Sequence, residues 1–230
     1  MGKIIFLPLD ERPCNYVYPM YIGKISGMDV EMVPKSLMGN FKKAADVDGI
    51  WEWTREKAEN GDILIVSMDL FLYGGIVPSR LHQLSSQICG QRLERLRSLK
   101  KEKPDLTIYA FQLITRAPAR DGSGEEPDYY EDYGYRIYRY GVLLDKERLN
   151  MITEEEAREK EQIEGEVPLE IREDFLRRRA INYENNKRTI DLAAEGIIDF
   201  LIIPQDDCRA YGYAPSERRG LAAYAAEKSM

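Results

Sequence analysis

Acids stand directly behind three of the four strongest apolar runs in this sequence, and an arginine follows each of the four closely. Ile4 to Leu9 runs into Asp10-Glu11-Arg12-Pro13-Cys14-Asn15. Asp62 to Met68 is followed by Asp69, then Tyr73-Gly74-Gly75 and Pro78-Ser79-Arg80. Leu106 to Ile114 leads to Thr115-Arg116-Ala117-Pro118, and Phe200 to Ile203 to Gln205-Asp206-Asp207-Cys208-Arg209 and Tyr211-Gly212. Carboxyl groups can move protons or hold a hard cation, while guanidinium groups clamp anions. In the adjacent pair Asp206-Asp207 each carboxylate raises the other's cost of ionising, which suits a general acid beside a stabilising anion. A purely structural role competes with this: a lone Asp after a strand often caps the next turn, and arginines nearby can simply neutralise such acids.

Other residues are weaker candidates. Gly74-Gly75 allows a close backbone approach or a turn, but neither the Rossmann fingerprint nor a Walker motif is present, so no nucleotide cofactor is expected. The sole histidine, His82, has no nucleophile elbow with it. Cys14 has no evident base partner and reads as a small packed hydrophobe. Arg179, Asn182 and Asn186 share one side of a helical pattern, where asparagines can reach a site or tie down a loop. The cluster Arg177-Arg178-Arg179 reads as a solvated helix face. The tyrosines from Tyr129 to Tyr140 read mainly as packing, with one or two able to form an aromatic wall for a sugar ring.

The elements that must position these residues alternate. The strand runs are near-continuously apolar, as in parallel strands covered on both faces, with Val30 to Val33 a weaker fifth. Helical patterns cover Asp48–Glu59, Ser85–Lys103 and Leu169–Glu195, and a last one covers Ser216–Met230. In the longest, Leu176, Ala180, Tyr183, Ile190, Ala194 and Ile197 mark the expected buried side. Thr153 with Glu156 forms a capping box at the start of an acidic helix. The alternation predicts an α/β fold with a mostly parallel sheet and flanking helices. Five strands suit a Rossmann-like open sheet or a partial barrel, too few for the usual eight-stranded one. Residues 1–230 read as a single domain, with 118–168 as a helical, tyrosine-rich insertion above the sheet.

Composition narrows the partners. The formal net charge of −7 argues against nucleic acid, which needs a concentrated basic face. No run approaches the roughly 20 apolar residues of a membrane span. The start lacks a small-residue cleavage site, and three scattered cysteines give no disulfide framework, so a reducing cytoplasm is the expected compartment.

Taken together, these motifs resemble a bacterial family known only as domain of unknown function 4127. The likeness rests on Leu9-Asp10-Glu11-Arg12-Pro13-Cys14-Asn15, Ser67-Met68-Asp69, Tyr73-Gly74-Gly75, Pro78-Ser79-Arg80 and Arg116-Ala117-Pro118. It continues through Tyr133-Gly134, Arg179-x-x-Asn182, Gly196-Ile197-Ile198-Asp199 and Gln205-Asp206-Asp207-Cys208-Arg209-Ala210-Tyr211-Gly212. Cys14 and Cys208 depart from the small aliphatic residues of that pattern. The family's longer members imply that this chain is an amino-terminal fragment, a split gene product or a shortened member, and the resemblance supplies no reaction.

Three functions therefore stay open. One is a glycoside hydrolase-like enzyme on a small, carbohydrate-type substrate, with Asp206, Asp207 and Asp69 catalytic. Asp207 would be the acid and Asp206 the orienting carboxylate, by analogy with the Asp-Asp pair of substrate-assisted N-acetylhexosaminidases. Its substrate-binding residues would be Asp10, Arg12, Asn15, Tyr73, Arg80, Arg116 and Tyr211, with no cofactor. A second is a metal-dependent enzyme in which Asp10, Asp69, Asp206 and Asp207 hold magnesium while Arg12, Arg80 and Arg116 clamp a phosphorylated or carboxylated substrate. The third is a ligand-binding or degenerate module without catalysis.

Overall fold

The computed structural model of the chain describes residues 2–206 and 209–228. Five parallel strands, β1 (Ile4–Leu7), β2 (Val30–Met32), β3 (Ile63–Ser67), β4 (Thr107–Phe111) and β5 (Phe200–Ile202), form one open sheet in the order β2-β1-β3-β4-β5. The sheet is not closed into a barrel. Connections run first to one side of β1 and then, from β3 onward, to the other, so the order reverses between β1 and β3. In open parallel sheets the crevice beyond the carboxyl ends at such a reversal is where ligands bind.

Among the described residues eight helices surround the sheet: α1 (Pro13–Ile25), α2 (Val47–Lys57), α3 (Met68–Tyr73), α4 (Ser86–Glu102), α5 (Tyr130–Arg148), α6 (Glu154–Glu166), α7 (Leu169–Ala194) and α8 (Tyr213–Glu227). Ile5, Leu64, Val66, Ile108 and Ala110 form the buried face of the sheet. They pack against Ile50 of α2, Leu70 to Leu72 of α3, Leu93, Leu96 and Leu99 of α4 and Leu192 of α7. No described helix is long and apolar enough to cross a membrane.

The expected helices appear within a few residues of their predicted ends, and the Thr153–Glu156 capping box closes both of its hydrogen bonds. Three helices go beyond the expectation: α1, the short α3 capped by Ser67, and α5. Pro13 starts α1 where its missing N–H is harmless, but Val17, Tyr18 and Ile22 favour strands, and Pro19 interrupts the pattern. The tyrosine-rich stretch folds as α5, whose weak helix formers are held by packing.

Two expectations are corrected. The apolar runs predicted strands covered on both faces, yet in β4 only Ile108 and Ala110 are buried, and Tyr109 between them is exposed. Tyr109 pairs with exposed Phe200, their rings edge to face at 6.0 Å, and Ile202 beyond is exposed too. β4 and β5 are thus covered on one face only among the described residues. The second correction concerns α7. Of the side chains expected to face the core, Leu176, Ala180 and Ala194 are exposed, while Arg178, Arg179, Asn182, Asn185, Asn186 and Thr189 are buried. Only Arg177 of the arginine cluster is a solvated side chain.

That buried polar side of α7 pins the loops behind the strands. Asn182 donates from Nδ2 to the carbonyl of Ser79 (2.9 Å), Asn186 to that of Leu113 (3.5 Å), and Asn185 to the Tyr73 hydroxyl (2.8 Å). Thr189 donates to Gln112 Oε1 (2.6 Å), and Arg179 to the Thr115 carbonyl (2.9 Å) while gripping Glu217 with two further bonds. Buried polar groups are tolerated because nearly every donor finds an acceptor. Replacing Asn182 by Ala strands the Ser79 carbonyl and the His82 ring nitrogen. It should lower stability by about 1–3 kcal/mol in urea denaturation.

Candidate functional site

Each strand end presents one part of a charged lattice. After β1, Asp10 is nearly buried. It accepts from Arg12 Nε (2.7 Å), from the Arg12 backbone N–H (3.1 Å) and from Asn15 Nδ2 (2.7 Å). The turn into α1 closes on itself in this way, and its bond to Asp10 raises the Arg12 guanidinium above its ordinary range. Arg12 then reaches Glu125, 3.7 Å away.

After β3, Ser67 caps α3 by accepting from the Leu70 N–H (3.3 Å), so Asp69 sits in the first helical turn. Gly74 ends this helix with φ of 87°, and a Cβ there would lie 2.8 Å from the Ala44 Cβ, so the turn requires glycine. Asp69 Oδ2 accepts from the Leu113 N–H at the end of β4 (2.9 Å). Only 1% of Asp69 is exposed. Burial pushes its carboxyl up to about 7. The Leu113 hydrogen bond and the nearby Arg80 charge pull it down without offsetting this, and the Asp206 charge adds to the rise.

Arg80, in the short 3-10 turn after α3 (Pro78–Arg80), is the hub. It lies 2.9 Å from Glu126, 3.3 Å from Glu125 and 3.6 Å from Asp206. Arg116, after β4, meets Glu125 at 2.8 Å and Glu126 at 3.4 Å. Burial raises the Glu126 carboxyl above its ordinary range despite both arginines. For Glu125 burial also pushes upward, but Arg80, Arg116 and Arg12 outweigh it and hold the group below its ordinary range. After β5, the pairing with β4 continues through an Ile114–Gln205 bridge, and the Asp206 N–H donates to the Ile114 carbonyl (3.1 Å). Asp206 is thereby held over Arg80 with 28% of its side chain exposed.

The structure therefore brings together Asp10, Arg12, Asn15, Asp69, Arg80, Arg116 and Asp206. Asp10 and Asp69 flank the reversal between β1 and β3. Asp207, expected to be catalytic, and Cys208 lie outside the described residues. Two expected binding residues stand elsewhere. Tyr73 is buried, stacked on His82 with ring centroids 4.6 Å apart, and its hydroxyl accepts from Asn185. Tyr211 has Lys146 over its ring, and its hydroxyl contacts Met151 Sδ (3.8 Å).

Glu125 and Glu126 were read only as part of a polar, breaker-rich loop. Three arginines behind neighbouring strands demand counter-charges, and that surplus is the signal that could have pointed to them. The expected tyrosine wall is largely consumed by packing. Tyr130 is fully buried, Tyr129 donates to Asp174, and Tyr140 donates to Glu164. His82 is a fastener: its Nδ1 accepts from the Leu84 N–H (3.2 Å), and Nε2 contacts Asn182 Oδ1 (2.8 Å). Burial lowers its pKa to about 4.

Chemically, the lattice offers a deeply buried carboxyl raised to about 7, a partly exposed carboxyl group, and guanidinium groups beside both. Among the described residues no three Asp, Glu, His or Cys side chains gather as they would to hold a metal ion, and the carboxylates meet arginines instead. No curated protein matches the chain in sequence. One family does, over residues 4–230, described as Protein of unknown function (DUF4127), and the chain belongs to that family.

Proposed function

We propose that this chain is an enzyme, or the catalytic part of one, that performs carboxylate acid–base chemistry on a small polar substrate. The observation supporting this is that carboxyl groups from behind β3 and β5 share one guanidinium. Burial raises the Asp69 carboxyl to about 7 in the field of Arg80, and Asp206 stands 3.6 Å from the same guanidinium as a partly exposed carboxyl group. Proton transfer works best from a group whose pKa lies near the working pH.

The reaction class favoured is hydrolysis of a glycoside, in which one carboxyl protonates the leaving oxygen and another supports the developing positive charge. In this reading Asp207 is the general acid and Asp206 the orienting carboxylate, with Asp69 as the proton store. Arg12, Arg80 and Arg116 bind and orient the substrate. The reading needs no cofactor, and a reducing, cytoplasmic compartment suits the free thiols Cys14 and Cys89.

The test is release of nitrophenolate from a panel of 4-nitrophenyl glycosides by the full chain. One or more should be turned over, and Asp206→Asn and Asp207→Asn should each reduce the rate by about 10²–10⁴. Rates untouched by both substitutions sink the assignment. Activity lost on adding EDTA and restored by magnesium would replace it with the metal-dependent alternative.

A further inference from the structure

We propose that this protein forms a two-fold symmetric dimer in which α1 of each copy fills an apolar trough over β4 and β5 of the other. Right-handed crossovers place α1 on one face of the sheet and α2, α4 and α7 on the opposite one. On the α1 face a Cβ at Gly23 would meet Val30, which is paired with Ile4 of β1. The same face continues across the sheet as two cross-strand rows, Phe6-Ile65-Tyr109-Phe200 and Phe111-Ile202, with no charged side chain in either. Exposure rises with distance from α1. Ile4 is buried, Phe6 and Ile65 are partly buried, and Tyr109 and Phe200 are 40% and 56% exposed. Parallel sheets are almost always covered on both faces, so among the described residues this half of the sheet lacks a layer.

The helix α1 has the complementary defect. Its inner side packs through Tyr16 and Gly23, while its outer side carries Tyr18, Tyr21, Ile22 and Ile25, each more than half exposed. Tyr18, Ile22 and Ile25 follow the i, i+4, i+7 spacing of a contact stripe, and Lys24 is the only charged residue of the helix. A helix that is apolar on all sides belongs in a core. Tyr18, Tyr21, Tyr109 and Phe200 each expose about half of a side chain that buries about 150–250 Å², roughly 400 Å² between them. Ile22, Ile25 and Ile202 carry the total toward the ~800 Å² that each partner buries in a specific dimer. Monomers rarely leave so much apolar surface bare.

A second copy answers both defects at once. The helix stands about one helix diameter, ~10 Å, above the sheet, so it is a ridge, and the strip beside it over β4 and β5 is a trough of matching depth. A two-fold axis parallel to the strands turns the second sheet to face the first. It brings the second α1 over β4 and β5 while the first α1 enters the second trough. Each α1 is then buried between two sheets, its inner stripe on its own and its outer stripe on the partner's. A foreign helix laid in the trough would leave the outer stripe of α1 in water. With no charge in the trough and one lysine on the helix, the surfaces match each other better than an acidic or basic partner. None of these side chains belongs to the charged lattice behind the strands, so the inference stands apart from the enzymatic reading.

The experiment is sedimentation equilibrium of the full chain from about 1 to about 100 μM, where a dimer with a dissociation constant of about 10 μM or tighter is expected. Ile22→Asp on α1 and Phe200→Asp on β5 should each weaken the dimer by about tenfold or more, because each sets a charge against an apolar surface. Both side chains face water in the single copy, so far-ultraviolet circular dichroism should not change. Leu169→Asp, at the exposed start of α7, should leave the dimer intact. Mixing the Ile22→Asp and Phe200→Asp proteins should restore dimers that neither forms alone, since the intact helix of one meets the intact trough of the other. A chain monomeric at about 100 μM overturns the proposal and leaves the bare face to another polypeptide. A dimer that withstands either aspartate in a folded protein, or no recovery on mixing, overturns it as well.

Discussion

Asp69→Asn is expected to make the protein more stable at pH 8 and, at the same time, nearly inactive. The buried carboxyl titrates near 7 in the folded chain, against an ordinary value of 3.8. Between those values the native state keeps a proton that the unfolded chain has released. Stability from this group is therefore complete below pH 4 and declines as pH rises through 7. The loss above pH 7 is at most on the order of 4 kcal/mol, reduced by whatever attraction to Arg80 the substitution removes. Asn is neutral at every pH and can still accept from the Leu113 N–H.

Melting temperatures of the two proteins should coincide near pH 4, and the variant should lead by several degrees at pH 8. Only the difference between them isolates the effect. His82, held neutral by burial and titrating near 4, destabilises the native state as pH falls from 6.5 toward 4 and so masks Asp69 in the wild-type curve. The pH dependence of turnover should likewise lose its limb near neutrality, with a rate lower by about 10²–10⁴. Identical melting at pH 8 would mean that folding leaves the Asp69 carboxyl near its ordinary range, and the proton store would vanish from the mechanism.

Arg80→Met should produce the largest loss of stability of any single substitution in the lattice. Methionine approximates the stem of arginine but removes the charge that faces Glu126, Glu125 and Asp206 at once. Glu126 is only 3% exposed, and after the change its one remaining ion-pair partner among the described residues is Arg116 at 3.4 Å. Breaking a buried pair from one side costs about 3–5 kcal/mol, because the surviving charge is left in a poor solvent. Adding Glu126→Gln to Arg80→Met should return a good part of that loss, and the four proteins of the cycle separate pairing from packing. Guanidinium denaturation gives the values. A loss under about 1 kcal/mol would place the lattice among weak, solvated ion pairs.

The contrast between these residues shows what reading the chain could and could not reach. Asp10, Asp69, Arg116 and Asp206 were legible because each directly follows an apolar run, and the ends of parallel strands converge whatever the loops contain. Glu125 and Glu126 were not, since a breaker-rich loop can fold back to any part of the surface. The buried side of α7 was legible in part: Arg179, Asn182 and Asn186 were read as able to tie down a loop, but hydrophobic periodicity pointed to Leu176 and Ala180 and away from Asn185 and Thr189. Periodicity assumes that a core-facing helix buries carbon, but this one faces loop backbone whose carbonyls need donors. Tyr73 follows the same strand as Asp69, yet α3 turns it inward to Asn185.

The amino-acid sequence by itself determined the parallel α/β architecture and the placing of acids and arginines behind its strands, because apolar runs, breakers and caps act over short stretches of chain. Which carboxyl keeps its proton, and which guanidinium joins the others, was decided only by tertiary structure. Desolvation and charge–charge distances depend on groups far apart in the chain, such as Arg80, Glu126 and Asp206, that meet once the sheet has formed.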